Sequence, residues 1–340
     1  MNERYSRQIL FSPIGIEGQK KLRDKHVLII GAGALGAANA ETLTRAGVGT
    51  ITIADRDYVE WSNLQRQQLY CEEDAIQKTP KAIAAANRLS AINSEVNIIP
   101  QILDIGVQEL EELVCGIDMV IDATDNFDIR FIINDLAQKH KIPWVYGGCV
   151  GSYGLSFTLL PGVSPCLNCL MDKLPLGGVT CDTVGVIQPA IQMVASHQSA
   201  EALKILVEDF ESLRGTLVSF DLWKNQYSSI EVMALKNPEC LSCGQAPVYP
   251  FLNYENQTKT VLLCGRETVQ IRPSGIQHPD LSLLERSLLT QGIPVERNPY
   301  LLTFSMDQTR LVIFNDGRVL VHGAADVLQA KKLYYRYLRP

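Results

Sequence analysis

Short apolar runs alternate with longer helical stretches over the first 150 residues. Strand-like runs cover residues 26–30, 50–54, 94–100, 118–123 and 143–146, and the first is a continuous apolar run of the kind typical of a buried parallel strand. Helical stretches lie between them, the clearest at 34–45, 80–92 and 129–140. This alternation predicts an α/β fold with a Rossmann-like, mostly parallel sheet and right-handed crossovers.

The pattern changes after Gly147. Residues 147–162 are glycine-rich and favour strands, which predicts that the sheet continues into antiparallel strands. A helix at 189–207 and strands at 215–221 and 227–234 follow.

Residues 245–250 read as a linker, and they divide the chain into a main domain (1–245) and a small α+β domain (246–340). In the small domain we expect strands at 260–272 and 301–304 and helices at 281–291 and 324–338. The tripeptide Asn315-Asp316-Gly317 predicts a hairpin between strands 310–314 and 318–322. The pattern does not indicate a role for this domain.

Composition excludes several classes of function. The chain has 46% apolar and 20% charged residues, a net charge of −6 and a pI near 5.5, which gives no reason to expect nucleic acid or an anionic membrane as a partner. The first residues do not resemble a signal peptide, and no apolar run is long enough to span a membrane. We therefore expect a cytoplasmic protein. Because the cytosol is reducing, we do not expect its nine cysteines to form a disulfide framework.

Three glycines follow the first predicted strand. Gly31, Gly33 and Gly36 let the backbone turn tightly and approach a phosphate at a helix N-terminus, and Asp55 closes the second strand, where it can accept hydrogen bonds from ribose hydroxyls. This context predicts a nucleotide site. The alternative is that the glycines serve only close packing.

Polar and cationic residues behind Asp55 bear on which nucleotide is bound. Asn63, Arg66 and Gln67 follow the second strand, and Lys81 lies on the next helix. Nicotinamide needs no arginine there, whereas the Arg66 fork and the Lys81 ammonium suit a polyphosphate. The alternative is that Arg66 and Lys81 are solvated charges on helices. Because both occur together with the glycine loop, a triphosphate is favoured.

Two aspartates end the fourth predicted strand, at the carboxyl edge where open α/β sheets bind ligands. Asp125 is a candidate to hold Mg²⁺ on a triphosphate. Asp122 lies one pleat deeper, and we expect it to be structural.

Six motifs occur in a fixed order: Arg4-Tyr5-Ser6-Arg7-Gln8, the glycine loop, Asp55-Arg56-Asp57, residues 63–67, Pro80-Lys81 and Asp122 to Asn126. From about residue 3 to 245, the chain thereby resembles the ThiF/MoeB/HesA adenylyltransferases, the bacterial relatives of ubiquitin-activating enzymes. The resemblance implies that ATP and Mg²⁺ bind at these motifs, Asp57 and Asn126 included. It also implies a homodimer in which Arg7 reaches into the partner's ATP site.

The implied reaction is adenylation of the C-terminal glycine of a small ubiquitin-like sulfur carrier that ends in Gly-Gly, with release of pyrophosphate. Such carriers are ThiS-like, in thiamin thiazole synthesis, or MoaD-like, in molybdopterin synthesis. The sequence does not choose between them. Two other classes stay open: an NAD-dependent oxidoreductase, and a non-catalytic scaffold stapled by zinc that binds a ubiquitin-like partner. Arg66, Lys81 and Asp125 argue against the scaffold, which would not need triphosphate ligands.

Four of the cysteines form two Cys-x-x-Cys pairs, which suit a closed tetrahedral site for structural zinc: Cys166 with Cys169, and Cys240 with Cys243. In relatives a cysteine matching Cys181 lies in a crossover loop, and in some it takes part in thioester or sulfur chemistry; the alternative is a bystander thiol. We expect the others (Cys71, Cys115, Cys149 and Cys264) to be packing residues. The C-terminal segment has no rhodanese-like active-site loop, so sulfur would come from a separate donor, a desulfurase or rhodanese.

Overall fold

A computed structural model describes residues 3–171, 185–252, 260–263, 268–271, 279–306, 308–324 and 327–338. The chain divides into two compact units, and the first includes residues up to 253. The boundary predicted after residue 245 thus lies a few residues inside the first unit.

The first unit is built on a sheet of eight strands in the order β3-β2-β1-β4-β5-β6-β7-β8. Neighbouring strands from β3 to β5 pair in parallel, whereas β5 to β8 pair antiparallel, so the predicted fold class is confirmed. The strands are β1 (His26–Ile30), β2 (Thr50–Asp55), β3 (Asn97–Ile102), β4 (Met119–Asp122), β5 (Trp144–Val150), β6 (Tyr153–Leu159), β7 (Thr216–Asp221) and β8 (Gln226–Glu231).

Helices cover both faces of this sheet. Because side chains alternate along a strand, Val27 and Ile29 of β1 belong to one apolar core, whereas Leu28 and Ile30 belong to the other. The described helices are α1 (Ser6–Ile9), α2 (Gly15–Asp24), α3 (Ala34–Ala46), α4 (Glu72–Ile76), α5 (Lys81–Ile92), α6 (Val107–Leu113), α7 (Phe127–His140), α8 (Leu167–Met171) and α9 (Gln188–Val207).

The parallel strands β1, β2 and β4 end at the same edge of the sheet. Ile30 pairs with Ala54 on one side and with Asp122 on the other, so the loops after these three strands leave the sheet side by side. Every nucleotide-binding motif predicted after a strand therefore lies at one edge.

The second unit contains a six-stranded antiparallel sheet in the order β11-β12-β13-β14-β10-β9. Its strands are β9 (Thr260–Leu263), β10 (Thr268–Ile271), β11 (Val295–Arg297), β12 (Leu301–Met306), β13 (Thr309–Phe314) and β14 (Val319–His322), and its helices are α10 (Leu281–Thr290) and α11 (Val327–Leu338). This is the α+β composition expected.

One strand prediction in this unit is wrong and one turn prediction is confirmed. The run 260–272 forms two strands rather than one, since β9 pairs antiparallel with β10. In the sequence, Gly265, Arg266 and Glu267 interrupt the apolar run between these two strands. The hairpin between β13 and β14 forms as expected: Phe314 N donates to Arg318 O at 2.9 Å, and Gly317 has a φ of 84°.

Among the helices in the described part of the chain, none has the length and apolar character to cross a membrane.

Candidate nucleotide site and cysteine cluster

The glycine loop combines two kinds of glycine. Gly31 follows β1 with a φ of 95°, and a Cβ there would lie 2.5 Å from the Ala123 carbonyl oxygen. A Cβ on Gly36 would overlap the Gly31 carbonyl. By contrast, a Cβ on Gly33, at the N-terminus of α3, would meet nothing within 4 Å. Close packing therefore explains Gly31 and Gly36, while Gly33 leaves the helix N-terminus open to a ligand.

The peptide groups of Ala32 are held from two sides. Asp55 Oδ2 accepts a hydrogen bond from Ala32 N at 2.6 Å, and its Oδ1 accepts one from Asp57 N at 2.6 Å. The Tyr70 hydroxyl donates to Ala32 O at 2.5 Å. Burial raises the pKa of Asp55, while the nearby Lys81 ammonium opposes that shift. The carboxylate expected to meet a ribose thus also joins the loops after β1 and β2.

A buried cation lies beside this loop. Lys81 begins α5, and its side chain is only 5% exposed, with Nζ 3.2 Å from Asp57 Oδ2. Arg56 lies 3.1 Å from Asp104. Although burial opposes it, the carboxylates of Asp57, Asp104 and Asp125 raise the pKa of Arg56. Asp125 is therefore within electrostatic range of the residues that follow β2.

The segment 63–67 presents buried polar atoms without partners. Asn63 is fully buried: its Oδ1 accepts from Glu60 N at 3.0 Å, but its Nδ2 has no hydrogen-bond partner among the described residues. The buried Gln67 Oε1 also lacks one in that part of the chain. Arg66 is partly exposed and donates to Ser62 O at 2.8 Å. Buried polar groups are normally paired, so these atoms are candidates to bind a ligand.

Asp122 is fully buried and accepts a hydrogen bond from Arg130 Nε at 2.9 Å, which agrees with its expected structural role. Arg130 Nη2 also donates to Thr124 O (2.6 Å) and Gly147 O (3.0 Å). The loop that carries the exposed Asp125 is thereby fixed to β5.

Sequence reasoning missed Tyr70 and Arg130. Arg130 had one available signal, an arginine at an inward-facing position of an amphipathic helix. Tyr70 had no local signal, since its partner lies 38 residues earlier.

Two predicted site residues, Arg7 and Cys181, are not among the residues described at the nucleotide-binding edge of the sheet. Arg7 is exposed on α1, and within the part of the chain described here its guanidinium has no hydrogen bond or ion pair. Leu10 and Phe11 close by are 74% and 60% exposed. Cys181 lies outside the described residues.

The two Cys-x-x-Cys pairs meet in one cluster, which we call the cysteine cluster. All four sulfur atoms lie within 4.8 Å of one another. The sulfur–sulfur distances are 3.9 Å for Cys166–Cys169, 3.6 Å for Cys166–Cys240 and 3.5 Å for Cys169–Cys243. Four thiolates about 2.3 Å from a tetrahedral zinc ion would lie roughly 3.8 Å apart. The arrangement fits a metal ion.

The local fold supports ligation in this cluster. Three of the four cysteines are buried, and the Gly244 N–H closes the second pair by donating to Cys240 O at 2.8 Å. Hydrogen bonds among the thiols lower the pKa of Cys169 and raise that of Cys166.

The packing role expected for the remaining cysteines is wrong in two cases. Cys71 and Cys115 are exposed, each near a helix end where a thiol meets solvent. Cys149 is half-buried, and Cys264 lies outside the described residues.

The fold and site define a Rossmann-like nucleotide-binding protein with a four-cysteine cluster. The model of the ThiF family matches residues 5–242. The chain belongs to the ThiF family, as its motifs predicted.

The sulfur carrier protein ThiS adenylyltransferase of Bacillus subtilis is 52% identical over 338 residues, which are 99% of this chain and 100% of that protein. The molybdopterin-synthase adenylyltransferase of Escherichia coli is 36% identical over 244 residues, 71% of this chain and 96% of its own length. Among solved structures, E. coli MccB with ATP superposes with a TM-score of 0.63 at 24% identity, covering 72% of this chain and 74% of that one. That likeness supports the fold.

Proposed function

We propose that this protein is an adenylyltransferase that uses Mg-ATP to activate the C-terminal glycine of a ThiS-like sulfur carrier. The observation that carries the proposal is the edge of the sheet where the glycine loop, Lys81 and the unpartnered polar atoms of Asn63 and Gln67 follow adjacent strands. The 52% identity to the B. subtilis ThiS adenylyltransferase over 99% of this chain supports a ThiS-like carrier, whereas the molybdopterin relative is 36% identical.

The reaction needs alignment and charge neutralisation more than a protein nucleophile. A carboxylate oxygen of the carrier would bond to the α-phosphorus while the bond to the bridging oxygen breaks, which gives an acyl adenylate and pyrophosphate. Both reactants are anionic, so cations that hold them together lower the barrier.

Each predicted residue has a proposed role in that step. Lys81 and Arg66 neutralise phosphate charge, and the open N-terminus of α3 at Gly33 faces the phosphates. Asp55 and Asp57 meet the ribose, and Asn63 and Gln67 offer their unpartnered polar atoms to the nucleotide. Asp125 with Asn126 would hold Mg²⁺, which supplies further charge neutralisation when bound.

Arg7 completes the site from a second copy in a homodimer. Its exposed guanidinium and the exposed Leu10 and Phe11 support this assignment, because a cation next to exposed apolar residues suits an interface.

The cysteine cluster holds structural zinc. All four ligands are supplied by cysteine, which leaves no open coordination position for catalysis. Cys181 stays a candidate for later sulfur transfer, with the sulfur delivered by a separate desulfurase or rhodanese.

Carrier-dependent exchange of labelled pyrophosphate into ATP tests the proposal. We expect exchange with a ThiS-like carrier, weaker or no exchange with a MoaD-like carrier, and loss of about 100-fold or more in Arg66→Ala and Asp125→Ala, as for removal of groups that stabilise transition-state charge. Arg23→Ala, on the exposed face of α2, is the control and keeps normal exchange. Normal exchange in both site variants would refute the site assignment. If exchange occurs only with the MoaD-like carrier, the substrate is a MoaD-like and not a ThiS-like protein.

A further inference from the structure

The helix that follows the Asp125 loop carries two adjacent polar residues in a fully buried position. Asn134 and Asp135 of α7 are both 0% exposed. A buried amide and a buried carboxylate are costly unless each polar atom has a partner. Apart from the contact between these two residues, their partners lie in or shortly after the segments that hold the cysteine cluster.

Asn134 fixes the first cysteine pair. Its Oδ1 accepts a hydrogen bond at 2.8 Å from Leu167 N, the first residue of α8. The first N–H groups of a helix have no partner within that helix, so this contact sets where α8 begins. Because Leu167 lies between Cys166 and Cys169, the same contact fixes the path of the chain between these two thiols.

Asp135 fixes the second pair. It accepts hydrogen bonds from Asn134 Nδ2 at 3.1 Å and from Phe251 N at 2.9 Å. Burial raises the pKa of Asp135, and the nearby Ser242 hydroxyl opposes that shift. Ser242 is fully buried between Cys240 and Cys243. One carboxylate therefore ties the second pair to the same helix that ties the first.

A stacked aromatic pair strengthens this arrangement. The ring of Phe251 lies 4.4 Å from that of Phe131, one turn before Asn134 on α7, with an interplanar angle of 15°. The chain after the second cysteine pair is thus held by a ring contact as well as by Asp135.

We infer that Asn134 and Asp135 are positioning residues for the metal: they hold the two cysteine pairs at ligating distance. This inference rests on the proposed metal-binding role of the cysteine cluster. Partners behind the ligands of a metal site typically change metal affinity by about 10–100-fold. Removing the Asp135 acceptor should therefore accelerate metal loss by a factor in that range.

Metal release from the full-length protein tests the inference. Wild-type and Asp135→Asn proteins are loaded with Co²⁺, whose thiolate charge-transfer band reports four-sulfur ligation, and release to excess chelator is followed with time. Asp135→Asn keeps the size of the side chain but turns an amide N–H₂ toward groups that are themselves donors. We expect at least about tenfold faster release together with a weaker or shifted band.

Glu111→Gln is the matched control. It also removes one carboxylate charge that contacts α7, but at the far end of the helix, where Glu111 pairs with Lys139 at 2.7 Å and His140 at 3.2 Å. Its release rate should equal that of the wild type. If Asp135→Asn is poorly folded, Ser242→Ala removes the hydroxyl alone and should accelerate release in the same direction.

Equal release from Asp135→Asn, Ser242→Ala and the wild type would overturn the inference, even if the variants unfold at lower temperature without metal. A wild-type protein that takes up no metal would overturn the proposed zinc site as well. Neither result depends on the adenylation assay, so failure of the proposed reaction would be seen separately.

Discussion

At the scale of single residues, two glycines of the glycine loop have different roles, one in packing and one in ligand binding. Gly36 has no room for a methyl group because the Gly31 carbonyl occupies that space, whereas Gly33 borders open space. Two substitutions of the same size should therefore have different consequences.

We expect Gly36→Ala to lower the unfolding temperature by several degrees, since backbone strain of about 1–3 kcal/mol must be absorbed. Gly33→Ala should keep the fold but weaken ATP binding, because the new methyl group stands at the phosphate-facing end of α3. Thermal unfolding and nucleotide titration separate the two effects. Tight ATP binding by Gly33→Ala would show that the phosphates lie elsewhere.

Tyr70 should matter for nucleotide binding although it carries no charge. Burial raises its pKa well above the usual value, so the hydroxyl stays protonated and can donate to Ala32 O. One such hydrogen bond contributes roughly 0.5–1.5 kcal/mol. We expect Tyr70→Phe to raise the KM for ATP by about 2- to 10-fold with little change in kcat.

The control for this measurement is Tyr334→Phe, a tyrosine of the second unit that is equally buried, at 7% exposure. It should leave the KM unchanged. A Tyr70→Phe enzyme with normal KM would mean that the loop holds its form without the hydroxyl.

At the scale of elements, Arg130 joins the ends of β4 and β5. Its guanidinium reaches Asp122, Thr124 O and Gly147 O, and a lysine ammonium cannot span the same three acceptors. We expect Arg130→Lys to lower the free energy of unfolding by about 2 kcal/mol, measured by denaturant titration. Arg45→Lys, which alters an exposed ion pair with Glu41, should cost under about 0.5 kcal/mol. If both variants lose the same free energy of unfolding, Arg130 does not join the two strand ends.

The elements also show what the sequence can predict. Strands β1 and β4 were visible because both of their faces are buried, which favours apolar residues along the whole strand. The glycine loop and the cysteine pairs were visible because their chemistry depends on local spacing. The contacts of Tyr70, Arg130 and Asn134 join residues far apart in sequence, and no local pattern records them. The division of 260–272 into β9 and β10 was missed although Gly265, Arg266 and Glu267 interrupt the apolar run in the sequence.

At the scale of the whole molecule, the first unit contains the nucleotide edge and the cysteine cluster together. The ThiS adenylyltransferase of E. coli is covered over 97% of its length by a match that spans 73% of this chain. We therefore expect a chain truncated after residue 253 to keep carrier-dependent pyrophosphate exchange. A folded, zinc-loaded truncation without exchange would assign the second unit a direct part in adenylation.

The cysteine cluster has a further consequence for chain topology. Cys166 and Cys240 are 74 residues apart, and a shared metal ion would close the chain between them into a ring. A cross-link over such a span removes conformational entropy from the unfolded chain that is worth about 4.5 kcal/mol in the simplest model. The ring encloses α9, β7 and β8, and Cys181 lies within it by sequence. Loss of the metal would therefore lower the free energy of unfolding, because the unfolded chain between the two cysteines would gain conformations, whereas the parallel strands lie outside the ring.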